Sequence, residues 1–189
     1  MSEILAPKMR AVKQQFFSLR NGVVADALRK AGDSHQVIFG LNLPQIKEIA
    51  HSIGADTELA RELWADVKVR ESQMLAPYLW ETAEIGQEQA IAILHAVADR
   101  EIADVLCLAL LRRIEKAEAV AITLLQQSQG NEMTLYIGLR LALNLLAIGR
   151  ISKTSPAIGA AMALDAAKLA PALRQVLMQI SEEVVDSDA

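Results

Sequence analysis

Apolar residues recur at intervals of three and four along almost the whole chain, and no stretch alternates apolar and polar residues as a half-buried strand does. This spacing gathers apolar side chains on one face of an α-helix, so it restricts the fold to packed helices. Aromatic residues make up only 4% of the 189 residues, whereas β-sandwiches and barrels are rich in aromatic and β-branched residues. The sequence therefore predicts an all-α protein.

Helix boundaries follow from the same spacing and from the residues that begin and end helices. Ser155 followed by Pro156 is typical of a helix start, Pro44 suits a first turn, and Pro77 is expected to kink or split the helix that contains it. Four glycines stand where helices are expected to end: Gly32, Gly54, Gly130 and Gly149. The predicted helices span residues 3–19, 22–31, 44–53, 57–66, 69–81, 87–98, 100–113, 117–127, 131–148, 156–168 and 171–182.

The connections between these helices are short, so successive helices are expected to pack as antiparallel pairs. From residue 44 onward the pairs recur at roughly 30–45 residues, a period typical of HEAT- and armadillo-like α-solenoids. The prediction is a single helical-repeat domain over residues 1–185 with a frayed tail at 186–189. A compact helical bundle is the alternative.

The residue composition argues against disulfides, metal and cofactor sites, a membrane-spanning helix and a signal peptide. The single cysteine, Cys107, excludes an intramolecular disulfide framework and a Cys-based zinc site, and neither metal-ligand spacing nor a phosphate-binding Gly-rich loop is present. We therefore predict no metal and no cofactor. The longest apolar run, Val105–Leu111, is far shorter than the roughly 20 residues that a membrane helix needs, and the first ten residues carry charges where a signal peptide is apolar. These features predict a cytoplasmic protein without membrane contact.

Charge is distributed unevenly along the chain, although the net charge is only −4. Residues 1–32 carry a balance of +4, residues 33–99 carry −7, and residues 100–153 carry +2. A positive face can therefore exist on an acidic protein, since local potential steers a partner more than net charge does. The alternative is that these charges only solvate the outer faces of helices.

Four short motifs follow one another in the chain. They are Phe39-Gly-Leu-Asn-Leu-Pro-Gln-Ile-Lys47, then Leu63-Trp64, then Glu71 with Leu75-Ala76, and finally Ile102-Ala-Asp104-Val-Leu-Cys107. In this order they resemble the motifs of the DNA alkylation repair (AlkD-like) family of HEAT-like repeat proteins. The resemblance extends over about residues 35–113, and the remainder is similar only as a helical pattern. It predicts that Phe39 is packed, that Gly40 allows a close approach, and that Pro44 starts a helix.

This resemblance implies a DNA glycosylase that acts on alkylated, positively charged purines, with Asp104 in the place of the catalytic aspartate. Because a cationic base is already a good leaving group, the enzyme mainly has to stabilise the positive charge that develops on the deoxyribose. A carboxylate beside the sugar does so, as in the oxocarbenium-like transition states of glycoside hydrolysis. The family's Trp side chains attract the cationic lesion through their ring faces.

The sequence departs from the family pattern beside Asp104. Arg100 stands four residues earlier, where the family has a Trp, and no Trp occurs after residue 80. Tyr136 is the candidate replacement for the family's later Trp. Arg100 is expected to pair with Asp104 at i, i+4 and to compete for its charge. The sequence thus predicts an AlkD-like protein with a degenerate active site, and it leaves open whether the protein is an enzyme.

Six basic residues are the candidates for contacts with DNA phosphates: Arg100, Arg112, Arg113, Lys116, Arg140 and Arg150. The alternative for those near helix ends is that they only complement the helix dipole. Trp64, Trp80 and Cys107 are expected to be core residues, and Glu71 to be a buried carboxylate that bonds a neighbouring loop. Double-stranded DNA is therefore the first candidate partner. The acidic middle region keeps a second hypothesis open, a non-catalytic helical-repeat module that binds another protein, and the oligomeric state is also left open.

Overall fold

The computed structural model describes residues 5–127 and 131–186. Within those ranges the chain forms eleven α-helices, and the only β-type pairing there is one isolated bridge between Val37 and Val69. The all-α prediction is confirmed. The helices are α1 (Leu5–Ser18), α2 (Gly22–Lys30), α3 (Leu43–Ile53), α4 (Thr57–Ala65), α5 (Arg70–Leu79), α6 (Gln87–Ile93), α7 (Arg100–Ala109), α8 (Ala117–Gln127), α9 (Glu132–Ala147), α10 (Pro156–Met162) and α11 (Pro171–Asp186).

Three predicted helices end early, and each has a local cause. Helix α6 gives way at Ile93 to a 3₁₀ turn over Leu94–Ala96, and Asp99 then caps α7 with extended backbone, so the predicted helix cannot continue to residue 98. Helix α10 stops at Met162, after which Asp165 caps a separate 3₁₀ turn. Helix α7 gives way to a 3₁₀ turn at Leu111–Arg113, where Arg150 donates to the carbonyls of Arg112 and Ile114.

Other boundaries agree more closely with the prediction. Pro77 lies inside α5, which continues to Leu79, so the proline does not split the predicted helix. Helix α11 includes Asp186, the first residue of the predicted tail. The predicted start of the first helix at residue 3, the helix stop at Gly130 and the tail at 187–189 lie outside the described residues. None of the described helices is both long and apolar enough to cross a membrane.

The chain divides into two compact units, Met1–Glu81 and Thr82–Ala189. In the first unit α5 packs on α3 and α4, and α1 packs on α4. In the second unit α9 packs on α7, α8 and α11, while α8 also packs on α6 and α10. The predicted stacking of helix pairs is therefore present within the second unit. The prediction of one domain over residues 1–185 stays a prediction.

A buried carboxylate organises the first unit, as the sequence predicted for Glu71. This side chain is inaccessible to solvent and accepts hydrogen bonds from the backbone N–H groups of Phe39 (3.0 Å), Gly40 (2.9 Å) and Leu41 (3.3 Å). Arg70, also buried, donates to the same carboxylate at 3.0 Å. A buried charge needs such partners, so the loop before α3 is fixed by α5.

The loop itself is built as the motif predicted. The half-buried Phe39 ring packs against Phe16 with their centroids 5.8 Å apart, and Pro44 lies in the first turn of α3, which Asn42 caps. Trp64 and Trp80 pack edge to face at 5.9 Å in the core of the same unit, which confirms their structural role.

Gly40 combines a positive φ of +81° with close contact to α2. A Cβ at this position would lie 2.8 Å from the Ala25 nitrogen and closer still to the carbonyl oxygen of Asn21, which are both backbone atoms. Neither can move aside without displacing α2. Only glycine fits here.

Gly32 provides a matched control, because its φ is +99° but nothing lies near the place of its Cβ. We expect Gly32→Ala to lower the free energy of unfolding by about 1 kcal/mol, the strain of a positive φ. Gly40→Ala adds a backbone clash and should cost roughly 3 kcal/mol or more. Urea unfolding of both variants measures the difference, and equal losses would contradict the close packing of the loop against α2.

Candidate functional site

Helix α7 positions the aspartate that the sequence singled out. Asp99 caps the helix by accepting from the N–H of Ile102 at 2.9 Å, so the first turn begins at Arg100. The apolar face of α7 includes Ile102 and Leu106, which are fully buried. Asp104 lies at the border of that face, and its side chain remains 36% exposed. It is therefore anchored and still accessible.

Two side chains of α9 bind Asp104. The Tyr136 hydroxyl donates to Oδ1 at 2.9 Å, and Arg140 donates from Nε to Oδ1 at 2.7 Å and from Nη2 to Oδ2 at 3.3 Å. Arg140 also reaches α11, where its Nη1 donates to Oε1 of Gln179 at 3.4 Å. The two-pronged contact holds the carboxylate in one orientation, as bidentate Arg–carboxylate pairs do.

The electrostatics of this cluster favour a neutral tyrosine and a charged arginine. Burial and the hydrogen bond to Asp104 raise the pKa of Tyr136 to about 12. Burial works against the charged form of Arg140, but the bond to Asp104 outweighs it and raises the pKa of this guanidinium above its usual value. The cluster is a stable carboxylate–guanidinium pair with a hydroxyl donor at its side.

A metal has little to bind in this cluster. Besides Asp104, the described residues that interact with the cluster offer one further potential ligand, Cys107. Its thiol is inaccessible to solvent and lies 3.7 Å from the carbonyl oxygen of Ile137, and burial raises its pKa. A protonated, buried thiol is a poor metal ligand. Cys107 is a core residue, as predicted.

The predicted ion pair between Arg100 and Asp104 is wrong. Arg140 occupies the carboxylate instead, because its fork reaches both oxygens from the facing helix. Arg100 is exposed, and in residues 5–127 and 131–186 it has no hydrogen-bond or ion-pair partner. Its side chain instead lines a cavity of about 320 Å³, which Tyr136 also lines. The remaining residues of the lining are Glu132, Met133, Ala170, Pro171, Ala172 and Leu173.

The six candidate DNA-binding residues fall into two groups. Arg100 and Arg140 lie near the beginning of α7, at the cavity and at Asp104. Arg112, Arg113 and Lys116 follow the end of α7 in the chain. Arg150 completes the second group, because it donates to a backbone carbonyl of the same connection. With about 1.5 Å of rise per residue, the ten residues of α7 place Arg100 roughly 15 Å from the beginning of the second group, whereas Arg140 binds Asp104 near the middle of the helix.

Within the second group the arginines and the lysine differ in what they are free to bind. Arg150 uses Nη1 to hold the carbonyls of Arg112 and Ile114, so part of its guanidinium is structural. Lys116 is exposed and lies 3.6 Å from Glu115, and Arg113 is exposed. The exposed Arg113 is thus a clearer candidate for phosphate contacts than Arg150.

Sequence reasoning missed that Arg140 is the partner of Asp104, and it missed Gln179 altogether. Arg100 and Asp104 are four residues apart, and so are Tyr136 and Arg140, 36 residues later. This distance lies within the predicted period of 30–45 residues for helix pairs, and it is the only sequence signal that could have suggested a contact between the two pairs of residues.

The hydrogen bond between Tyr136 and Asp104 can be checked by titration. The chain has two tyrosines, so Tyr78→Phe leaves Tyr136 as the only one. We expect its pKa near 12 to fall towards the ordinary value of about 10 in Asp104→Ala, because the carboxylate no longer disfavours the tyrosinate. The near-ultraviolet absorbance of tyrosinate measures it, and circular dichroism reports whether the chain stays folded.

Glu115→Gln removes an exposed carboxylate elsewhere in the unit and should leave this pKa unchanged. The raised pKa of Tyr136 also makes the free energy of unfolding depend on pH. The protonated tyrosine contributes its full stability below about pH 10, the pKa of tyrosine in the unfolded chain. This contribution is lost as the pH rises through about 12, the pKa in the folded protein. A Tyr136 that titrates like a free tyrosine would contradict the bond.

Comparison with known proteins agrees with the resemblance of the motifs. The family model described as DNA alkylation repair enzyme matches residues 12–132. The fold is similar to a solved structure from a family of proteins related to the HEAT-like repeat DNA glycosylases with affinity for branched DNA structures. That similarity has a TM-score of 0.77 at 17% identity and covers 93% of this chain and 74% of the other. None of the curated proteins matches the sequence.

The family match spans more than half of the chain and includes the loop held by Glu71, the Trp pair and Asp104. The structural match confirms the predicted HEAT-like fold of stacked helices. The chain therefore belongs to the DNA alkylation repair enzyme family.

Proposed function

We propose that this protein binds DNA through its second unit, at Asp104 and the cations near it, and that it does not excise cationic alkylpurines efficiently. A cytoplasmic location, as the sequence predicts, is part of the proposal. The single observation that carries it is the place of Arg100. This arginine lines the cavity one helical turn before Asp104 and has no carboxylate partner among the described residues.

An unneutralised guanidinium at this position works against a cationic substrate in two ways. Its charge repels the alkylated base, and it also opposes the positive charge that develops on the deoxyribose in the transition state. It further lacks the negative ring face with which an aromatic side chain attracts a cation. The Tyr136 ring does not replace that face, because Tyr136 is only 8% exposed.

The pair of Asp104 and Arg140 is compatible with weak catalysis but does not compensate for Arg100. The guanidinium keeps the carboxylate ionised and oriented, which a charge-stabilising group needs. It also offsets part of the negative charge on the carboxylate. Asp104 thus resembles a residual catalytic group beside a site that no longer attracts a cationic base.

DNA binding is supported independently of that chemistry. Cations lie along α7, from Arg100 at its start to the second group roughly 15 Å further on, and phosphate contacts position a protein on DNA without reading its sequence. The family includes DNA repair enzymes, and the solved structure with the similar fold comes from proteins with affinity for branched DNA structures. We extend this affinity to the present chain as part of the proposal.

We expect the affinity for DNA to fall steeply with salt, because each neutralised phosphate releases a counterion. Arg113→Gln removes one such contact, so the negative slope of log K against log salt should become less steep by about 1. Fluorescence anisotropy with labelled duplex and branched DNA over a series of salt concentrations measures the slope.

Arg61→Gln is the matched control for this experiment. It removes the same charge from the exposed surface of α4 in the first unit, outside the predicted set, and should leave the slope unchanged. Equal effects of both substitutions would mean that only net charge matters, which would contradict a DNA site on the second unit.

We expect Arg100→Trp to gain release of a positively charged alkylpurine from DNA. The restored aromatic–cation contact contributes about 0.5–2 kcal/mol, and removal of the opposing charge adds to it, so the rate should rise at least about tenfold. Release of the modified base under single-turnover conditions measures the gain.

Two further variants separate the causes. Arg100→Gln removes the charge without adding an aromatic ring, so its gain should be smaller. The double variant Arg100→Trp with Asp104→Asn should lose the gain, because the carboxylate stabilises the developing sugar cation. Efficient release by the wild-type protein, or release by the double variant equal to that of Arg100→Trp, would refute the proposal.

The alternative function is a module that binds another protein, and one observation favours it. Where α1 ends and α2 begins, Phe17 is 57% and Val23 82% exposed, with Arg20 stacked on the Phe17 ring at 3.9 Å. Exposed apolar side chains of this kind are found at protein contacts. The salt series above discriminates the two, because a protein-binding module has no salt-dependent affinity for DNA.

A further inference from the structure

We propose that the cavity lined by Arg100 binds one unpaired nucleotide of bulged or branched DNA, with its phosphate on Arg100 and its base against the apolar wall. This inference rests on the proposed function and names the part of the DNA that the site takes. It also reverses the charge of the expected ligand: an anionic phosphate ester with an ordinary base takes the place of a cationic alkylated base.

The space is suited to one nucleotide. The cavity of about 320 Å³ has a neighbour of about 200 Å³, and Glu132, Ala170 and Leu173 line both. All lining residues belong to the second unit. Volumes near 300 Å³ are at the lower end of small-molecule sites, so the cavity accepts one nucleotide and excludes a stacked base pair.

Arg100 provides the contact for the phosphate. Its guanidinium is exposed and has no partner among the described residues, so five N–H donors are available in a planar fork that matches a phosphate. The first turns of α7, α9 and α11 contribute Arg100, Glu132 and Pro171 to the same lining. The partial positive charges at these helix starts add to the field that Arg100 creates, although they do not define the site alone.

The rest of the lining is mostly apolar. Met133 is half-buried and Pro171 is exposed, whereas Tyr136 and Leu173 are buried, so the apolar surface open to a ligand is mainly aliphatic. The Tyr136 hydroxyl is held by Asp104 at 2.9 Å, which fixes this part of the lining. Any base can bury its apolar face against such side chains, because this contact does not depend on the identity of the base.

Glu132 determines how the nucleotide is oriented in the cavity and which base binds best. Its carboxylate repels the phosphate, so the phosphate lies at Arg100 and the base edge lies towards Glu132. A carboxylate accepts hydrogen bonds from an exocyclic amino group, as Asp and Glu do from N4 of cytosine. Thymine presents a carbonyl oxygen at the equivalent place. We therefore expect an unpaired cytosine to bind better than an unpaired thymine.

The test compares a labelled duplex with the same duplex carrying one bulged cytosine or one bulged thymine, measured by anisotropy at fixed salt. For the wild-type protein we expect the cytosine bulge to bind at least about fivefold more tightly than the duplex, and the thymine bulge to lie between them. In Arg100→Gln the ratio of bulge to duplex affinity should fall to about one. Glu132→Leu should remove the difference between cytosine and thymine but keep part of the preference for a bulge.

A second variant tests whether the preference for the bulge depends on the cavity itself and not only on the charge of Arg100. Ala172→Phe narrows the cavity while it keeps Arg100, so it should also abolish the preference for the bulge. Arg113→Gln, at the other group of cations, should weaken bulged and plain duplexes by the same factor and leave the ratio unchanged. Thermal unfolding followed by circular dichroism shows that each variant is folded.

The outcomes separate this inference from the function on which it rests. Binding of duplex and bulged DNA with equal affinity would overturn the inference and leave DNA binding intact, whereas no salt-dependent binding of any DNA would overturn the proposed function itself. Titration of free dCMP, followed by the methyl resonance of Met133, is expected to need concentrations on the order of millimolar. Tighter binding of free dCMP than of bulged DNA would show a site for a free nucleotide and would also overturn the inference.

Discussion

The packing of α9 between α7 and α11 is the contact on which the candidate site depends. The buried face of α9 includes Ile137 and Leu141. Because this face is fixed in the core, the residues at its border are held against the neighbouring helices. Tyr136 and Arg140 lie on that border and bind Asp104 of α7, while Gln179 of α11 accepts a hydrogen bond from the other end of the guanidinium. The packing of three helices thus assembles the cluster from residues that are far apart in the sequence.

The same geometry explains why a single substitution can redirect such a site. Asp104 keeps a bound guanidinium and a hydroxyl donor, so its orientation does not depend on the residue one turn before it. The residue at position 100 can therefore change the charge that a ligand meets beside Asp104 without changing the orientation of the carboxylate. In the function that we propose, an arginine there makes the surface suit anions where an aromatic residue would suit cations, and the core of α7 is not disturbed because Ile102 and Leu106 remain fully buried.

The first unit shows how a buried charge serves structure and not chemistry. Glu71 is as buried as any residue of the chain, yet each of its oxygens accepts from backbone N–H groups or from Arg70. These bonds hold the loop at Gly40 against α2, where no side chain fits. A carboxylate that is fully satisfied and closed to solvent can position a loop, whereas Asp104 remains partly exposed and can act on a ligand.

The sequence by itself determined the helices, their stacking and the loop motif at Phe39, because these depend on local spacing, capping residues and a motif of fixed order. It also singled out Asp104 and Arg100 as candidate site residues. Three helices end earlier than the periodic pattern predicts, because 3₁₀ turns follow Ile93, Ala109 and Met162, the second held by Arg150 and the third capped by Asp165. The partner of Asp104 was decided only by tertiary structure. Arg100 is four residues away in sequence and Arg140 thirty-six, but the packed helix places the distant arginine's fork across the carboxylate and leaves the near one to line the cavity.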